Sequence, residues 1–173
     1  MTTGLTILFT GNGKGKTTAA LGLALRAAGH GKKIAIIQFI KERTDTGEAK
    51  ALAALGDCIE LHVTGSGFSW AQRDEAAFRQ VAQAGWRLAR EKIASRAYDL
   101  IILDELTYLI HFGLVAEEAV LAAIAGKPAP LHLVITGRQA SPGLIGAADL
   151  VTEMREIKHP FRRGIAAQAG IEF

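Results

Sequence analysis

The chain has a single cysteine, Cys58, in 173 residues, so it can neither close an internal disulfide nor assemble a thiolate metal cluster. Standing alone, Cys58 is expected to be a small buried apolar side chain. No apolar stretch approaches the ~20 residues of a membrane helix. Met1-Thr2-Thr3-Gly4 enters a strand at once, without the basic and apolar regions of a leader. These absences point to a cytoplasmic protein with no membrane partner. Concentrated positive charge is missing too: 20 Lys and Arg against 17 Asp and Glu leave a formal +3, spread over pairs such as Lys32-Lys33 and Arg162-Arg163. A nucleic-acid groove needs a denser stripe, so no nucleic acid is expected and a small polyanion suits the chain better. His30, His62, His111, His132 and His159 are dispersed, no Ser–His–Asp order stands out, and no H-E-x-x-H pair occurs. No histidine is therefore assigned a catalytic role. Repeats, linkers and low-complexity tracts are absent.

What remains is ordinary for a folded α/β chain: 49% hydrophobic and 21% charged residues, enough to bury a core on both faces of a sheet in one domain spanning residues 1–173. Its organising stretch is Thr10-Gly11-Asn12-Gly13-Lys14-Gly15-Lys16-Thr17-Thr18. The apolar, β-prone run Leu5–Phe9 precedes it and a run of helix formers, Ala19–Ala28, follows. Gly11, Gly13 and Gly15 can take positive φ and carry no side chain, so backbone N–H groups can turn towards phosphate oxygens. A helix beginning near Lys16 adds its free N–H groups and positive dipole end. Lys16 supplies a movable charge, and the Thr17 hydroxyl is placed to ligate Mg²⁺. A strict G-x-x-x-x-G-K-[ST] pattern would have glycine where Thr10 stands. Gly11 and Gly13 supply that flexibility instead, and the stretch reads as a triphosphate cradle.

Downstream, strands are expected at Ile34–Ile40, Cys58–Val63, Tyr98–Glu105, Leu131–Thr136 and Leu150–Arg155, and helices at 48–55, 72–96, 115–125 and 141–148. Phe78, Ala82, Trp86, Ala89 and Ile93 share one helical face, which makes Trp86 core. Alternation of strand and helix predicts an α/β, three-layer P-loop (RecA-like) fold, with a mostly parallel sheet of about six strands and helices on both faces. The buried strand ending in Asp104-Glu105 should deliver two carboxylates to the carboxyl edge of that sheet, beside the cradle. Two readings stand: the carboxylates hold a metal ion, or they cap the next helix. Arg138, after Thr136-Gly137, either reaches phosphate from that edge or pairs with a surface carboxylate. Phe68 and Trp70, on the glycine- and serine-rich stretch 64–70, are either a flat apolar platform or a core plug. Ile157–Ile165 reads as a solvated tail.

Taken together, several segments resemble one family across nearly the whole chain. They are the cradle, Gln38-Phe39-Ile40-Lys41, Gly67-Phe68-Ser69-Trp70, Leu103-Asp104-Glu105-Leu106-Thr107-Tyr108, Thr136-Gly137-Arg138, Ala147–Met154, Lys158-His159-Pro160-Phe161 and Gly170-Ile171-Glu172-Phe173. The family is the ATP:corrinoid adenosyltransferases of the cob(I)yrinic acid a,c-diamide adenosyltransferase type. The resemblance implies transfer of the 5′-deoxyadenosyl group of ATP to cobalt(I) of a reduced corrinoid, with triphosphate leaving. Cobalt(I) is itself a strong nucleophile, which accounts for the missing acid–base residues. It further implies that Gly11, Asn12, Gly13, Lys14, Gly15, Lys16, Thr17, Thr18 and Arg138 hold a nucleotide lying reversed in the cradle. Thr17, Glu105 and Asp104 would serve Mg²⁺, with Mn²⁺ as a substitute. Lys16, Phe68 and Trp70 would be catalytic, the two aromatics pressing on the lower face of the corrinoid so that cobalt(II) loses its axial ligand. A reduced flavoprotein donor and a homodimer are the family expectation. Two departures stand out: the stretch after Trp70 is shorter than usual, and the N-terminal arm of many relatives has no counterpart before the first strand. A P-loop ATPase or regulator that hydrolyses ATP to drive a partner, and a carrier without turnover, are the competing readings.

Overall fold

A computed structural model describes residues 3–41, 45–65 and 75–172. Its elements are β1 (Thr6–Thr10), α1 (Lys16–Ala28), β2 (Ile34–Gln38), α2 (Gly47–Ala53), β3 (Ile59–Val63), α3 (Glu75–Ala94), β4 (Leu100–Asp104), α4 (Leu106–His111), α5 (Glu117–Ala125), β5 (His132–Thr136), α6 (Pro142–Ala147) and β6 (Leu150–Glu153), alternating as expected except that the short α4 after β4 adds to the helices whose ranges the sequence predicts. Among the described residues the six strands form one sheet in the order β3-β2-β4-β5-β1-β6, and every pairing is parallel. The expected fold class holds, with a sheet that is wholly parallel. Strand ends differ by a few residues from the expectation: β2 stops at Gln38, and Phe39 and Ile40 continue as a buried bend.

Alternation along the central strands builds two cores, because successive side chains point to opposite faces. Ile34, Ile36, Leu100, Ile102 and Val134 face α1 and α2, where Ala20, Ala24 and Leu52 meet them. Ala35, Ile37, Ile101, Leu103 and Leu133 face the other way, onto Ala82, Trp86, Ala89 and Ile93 of α3 and onto α4 and α5. Both faces of β1, β2 and β4 are thus covered, and their five-residue runs are buried throughout. Trp86 is core, as its spacing predicts. Cys58 departs from its expected burial: it is half-buried in the 3-10 turn before β3, with its Sγ donating to the Leu55 carbonyl. No helix among the described residues is long and apolar enough to cross a membrane.

The β3 edge of the sheet is only half-buried, and a polar cluster ties it to α3. Lys92 Nζ and Tyr98 Oη both donate to Glu60 Oε2, at 2.6 and 2.7 Å. The Lys92 ammonium and the Tyr98 hydroxyl together hold the Glu60 carboxyl down at about 2, against an ordinary 4.5. A lowered folded-state value makes this contribution complete above pH 4.5 and lost as pH falls towards 2. Glu60→Gln is expected to cost about 1 kcal/mol at pH 7, the upper end for a partly exposed pair. Thermal melts should show a loss of about 2–4 °C that narrows as the buffer is acidified; an equal gap at pH 7 and pH 3 would contradict the account.

Candidate functional site

Parallel register brings the last residues of three strands into one row. Gln38 pairs with Asp104 across β2 and β4, and Leu103 with Ile135 across β4 and β5, so Gln38, Asp104 and Thr136 are neighbours at the carboxyl edge. Asp104, 1% exposed, accepts from all its surroundings: Gln38 Nε2 to Oδ2 at 3.1 Å, and Thr136 Oγ1 and Thr17 Oγ1 to Oδ1 at 2.7 and 2.8 Å. Thr136 Oγ1 in turn accepts the Glu105 N–H at 2.9 Å. A buried carboxylate persists only when so supplied with donors. One of those donors, Thr17, stands in the first turn of α1, directly after the glycine-rich loop, so the network joins the start of α1 to the sheet edge.

The loop turns from β1 into α1 through Gly11 at φ 94° and Gly15 at φ 116°, conformations that non-glycine residues rarely adopt. Gly13 plays a different part from the expected one. Its φ is not positive, and its N–H donates to the Met154 carbonyl at 2.7 Å instead of standing free for an anion. Glycine is needed there for close approach, because a Cβ would sit 2.8 Å from the Arg155 carbonyl. The free donors beside the loop are those of α1: Gly15 caps it without a side chain, no acidic residue stands in its first turn, and the first N–H groups have no intrahelical acceptor. Lys16, 6% exposed, donates Nζ to the Gly11 and Gly13 carbonyls at 2.8 Å each. Burial lowers its pKa; the Glu105 and Asp104 charges oppose that shift, and Arg138 adds to it.

Glu105 follows β4 at φ 63°, a left-handed conformation that costs a non-glycine residue about 1–2 kcal/mol. It occupies the position before α4, yet its side chain caps nothing. The helix-cap reading therefore fails for Glu105. Among the described residues its Oε2 is buried without a hydrogen-bond partner, and burial, reinforced by Asp104, raises its carboxyl to about 7 while Lys16, Arg138 and Lys41 pull the other way.

The loop, α1 and the sheet edge enclose a cleft of about 540 Å³, within the range of small-molecule sites. Asn12, Gly13, Lys14, Gly15, Lys16, Thr17, Thr18, Glu105 and Arg138 all line it; Gly11 and Asp104 sit behind this lining. Arg138 forms no ion pair among the described residues, so its surface-carboxylate reading is not met. Phe68 and Trp70 lie outside the described residues. Sequence reasoning missed Gln38 and Thr136, which tether Asp104, and Lys41, Glu48 and Tyr108, which line the cleft. Gln38, Lys41 and Thr136 stand at or just past strand ends, which could have signalled them, whereas Glu48 and Tyr108 lie within the helices α2 and α4 and carried no such signal. It missed His159 as well, a member of the expected solvated tail that lines the cleft.

The oxygen set of Thr17, Asp104 and the orphaned Glu105 Oε2 suits a hard divalent cation. Among the described residues no group of three or more His, Cys, Asp or Glu side chains could hold a metal. A cation here would complete its shell with phosphate and water, as Mg²⁺ commonly does.

A profile of the family described as ATP:corrinoid adenosyltransferase BtuR/CobO/CobP matches residues 2–173. The chain is 42% identical over 170 residues to the corrinoid adenosyltransferase of Pseudomonas aeruginosa, covering 98% of this chain and 84% of that one. It is 39% identical over 170 residues to corrinoid adenosyltransferase CobA of Salmonella typhimurium, covering 98% and 86%. With the corrinoid adenosyltransferase of Escherichia coli K12 the identity is 41% over 174 residues, covering 98% and 86%.

Proposed function

The chain belongs to the ATP:corrinoid adenosyltransferase family, and from that premise we propose how its cleft adenosylates a corrinoid, a reaction of cobalamin biosynthesis. ATP and a reduced corrinoid are the substrates. The cobalt(I) electron pair attacks C5′ of ATP, the C5′–O bond breaks, and triphosphate leaves with that bonding pair. Cobalt goes formally from the +1 to the +3 state, and no proton has to move. The observation that carries the reading is the meeting, in one cleft, of a held lysine ammonium, an open helix N-terminus and the Glu105 carboxylate, with Asp104 bonded to Thr17 of the lining.

In this reading the protein binds and orients, and it stabilises the charge that develops on the departing triphosphate. Lys16 and the first N–H groups of α1 meet the phosphate oxygens, with Asn12, Lys14, Thr18 and Arg138 around them. Gly11, Gly13 and Gly15 shape the backbone that carries these groups. Thr17, Asp104 and Glu105 would hold Mg²⁺, which when bound neutralises phosphate charge. Phe68 and Trp70 would press on the corrinoid. We take residues 1–173 as one adenosyltransferase domain. A reduced flavoprotein donor, a homodimer and a cytoplasmic setting belong to the same proposal and rest on the family likeness.

The test mixes the protein anaerobically with Mg·ATP and chemically reduced corrinoid, follows the corrinoid spectrum and identifies the phosphate product. A light-sensitive alkyl-cobalt product with triphosphate is expected. Phe68→Ala and Trp70→Ala should abolish enzyme-assisted reduction of cobalt(II) while transfer to preformed cobalt(I) persists. Orthophosphate with an unchanged corrinoid would make the chain an ATPase.

A further inference from the structure

One wall of the cleft comes from a segment far along the chain. Beyond β6 the chain makes a 3-10 turn at Pro160–Arg163, where the Phe161 N–H donates to His159 Nδ1 at 3.2 Å. It then turns again at Gln168–Glu172. Gly170 sits there at φ 78°, and the Ile171 and Glu172 N–H groups both donate to the Gln168 carbonyl, at 3.1 and 2.8 Å. That turn delivers Glu172 to the glycine-rich loop: Lys14 Nζ donates to Glu172 Oε2 at 2.9 Å, across 158 positions of sequence. His159, Gly170, Ile171 and Glu172 line the same cleft as Lys14, Lys16 and Thr17.

We propose that Glu172 is a positioning residue for nucleotide binding, holding the Lys14 ammonium at the cleft and latching residues 159–172 against it as a wall. The proposal rests on the reading that this cleft takes ATP. A lysine ammonium has three N–H donors, of which Glu172 takes one, so two remain for phosphate oxygens. Without that partner the four-carbon stem of Lys14, whose side chain is 43% exposed, is free to sample many rotamers in water. The incoming nucleotide would then have to order it, and that cost appears as lost affinity. Because the pair is partly exposed, its role is preorganisation rather than stability.

The experiment titrates Mg·ATP calorimetrically, without corrinoid, into the wild type and the Glu172→Gln, Glu172→Asp and Gly170→Ala variants. Glu172→Gln should raise Kd about 3- to 10-fold, the cost of ordering one long side chain, with Tm within about 2 °C of the wild type. Glu172→Asp should recover part of the loss. Gly170→Ala, which strains the left-handed turn, should share it. In turnover the effect should fall on KM for ATP, with kcat unchanged. Wild-type binding with an unchanged or tighter Kd in Glu172→Gln would overturn the latch and leave the nucleotide reading intact. A wild type that binds no Mg·ATP would overturn both.

Discussion

Lys16→Met is expected to lower kcat/KM for adenosyl transfer by about 100- to 1,000-fold, the loss found when one preorganised donor is removed from a developing anion. The size follows from how the ammonium is held. It is 6% exposed and tied to the Gly11 and Gly13 carbonyls, so its direction is set before nucleotide arrives and no reorganisation is needed at the moment of reaction. Burial already disfavours its charged form, and the Glu105 and Asp104 carboxylates compensate. A triphosphate adds far more compensation and gains a strong, water-poor ion pair. Lys16→Arg should fail nearly as badly, because a planar guanidinium cannot occupy the space between two loop carbonyls. Single-turnover formation of the alkyl-cobalt product, with circular dichroism to show that the fold persists, is the measurement. A loss below about 5-fold, well short of one preorganised donor, would remove Lys16 from the reaction.

Glu105→Gln should move stability and activity in opposite directions. The Glu105 carboxyl has a folded-state value of about 7 against an ordinary 4.5, so the folded chain holds a proton that the unfolded chain has released over that interval. Stability therefore falls as pH rises from 4.5 to 7 and stays lowered above it. An uncharged amide escapes this cost. The nucleotide-free variant should be more stable than the wild type by up to about 3 kcal/mol at pH 8, a Tm gain of about 5–10 °C, with the difference vanishing below pH 4.5. Adenosyl transfer should fall, because a neutral side chain offers a divalent cation no charge. Melts at pH 8 and pH 4 decide the matter: a gap of equal size at both would show that the gain does not come from the buried charge. Such a residue sacrifices stability for a charge at the site, which is the usual signature of a functional group.

The local parts of this molecule are legible without coordinates. A glycine-rich turn between an apolar run and a helical run announces β1, the loop and α1. Apolar five-residue runs announce the buried strands, and the period of Phe78 through Ile93 announces the packed face of α3. All of these signals lie within one element and its flanks, where steric preference and side-chain period act directly. What they leave open is which residues meet. That Gln38, Thr136 and Thr17 converge on Asp104 depends on the register of β2, β4 and β5, which no local pattern encodes. Gly13 reads as an anion donor in isolation, yet Met154 claims its N–H once β6 lies beside β1. Glu105 looks like a helix cap until the left-handed backbone after β4 turns its carboxylate into a buried cleft with an unpaired oxygen. Glu172 meets Lys14 only because the chain beyond β6 folds back over the loop. The amino-acid sequence by itself determined most of the elements, the layers and the strand–turn–helix form of the glycine-rich loop. The tertiary structure alone decided how charges and donors are shared, because desolvation and hydrogen-bond partnership are properties of residues brought together from distant parts of the chain.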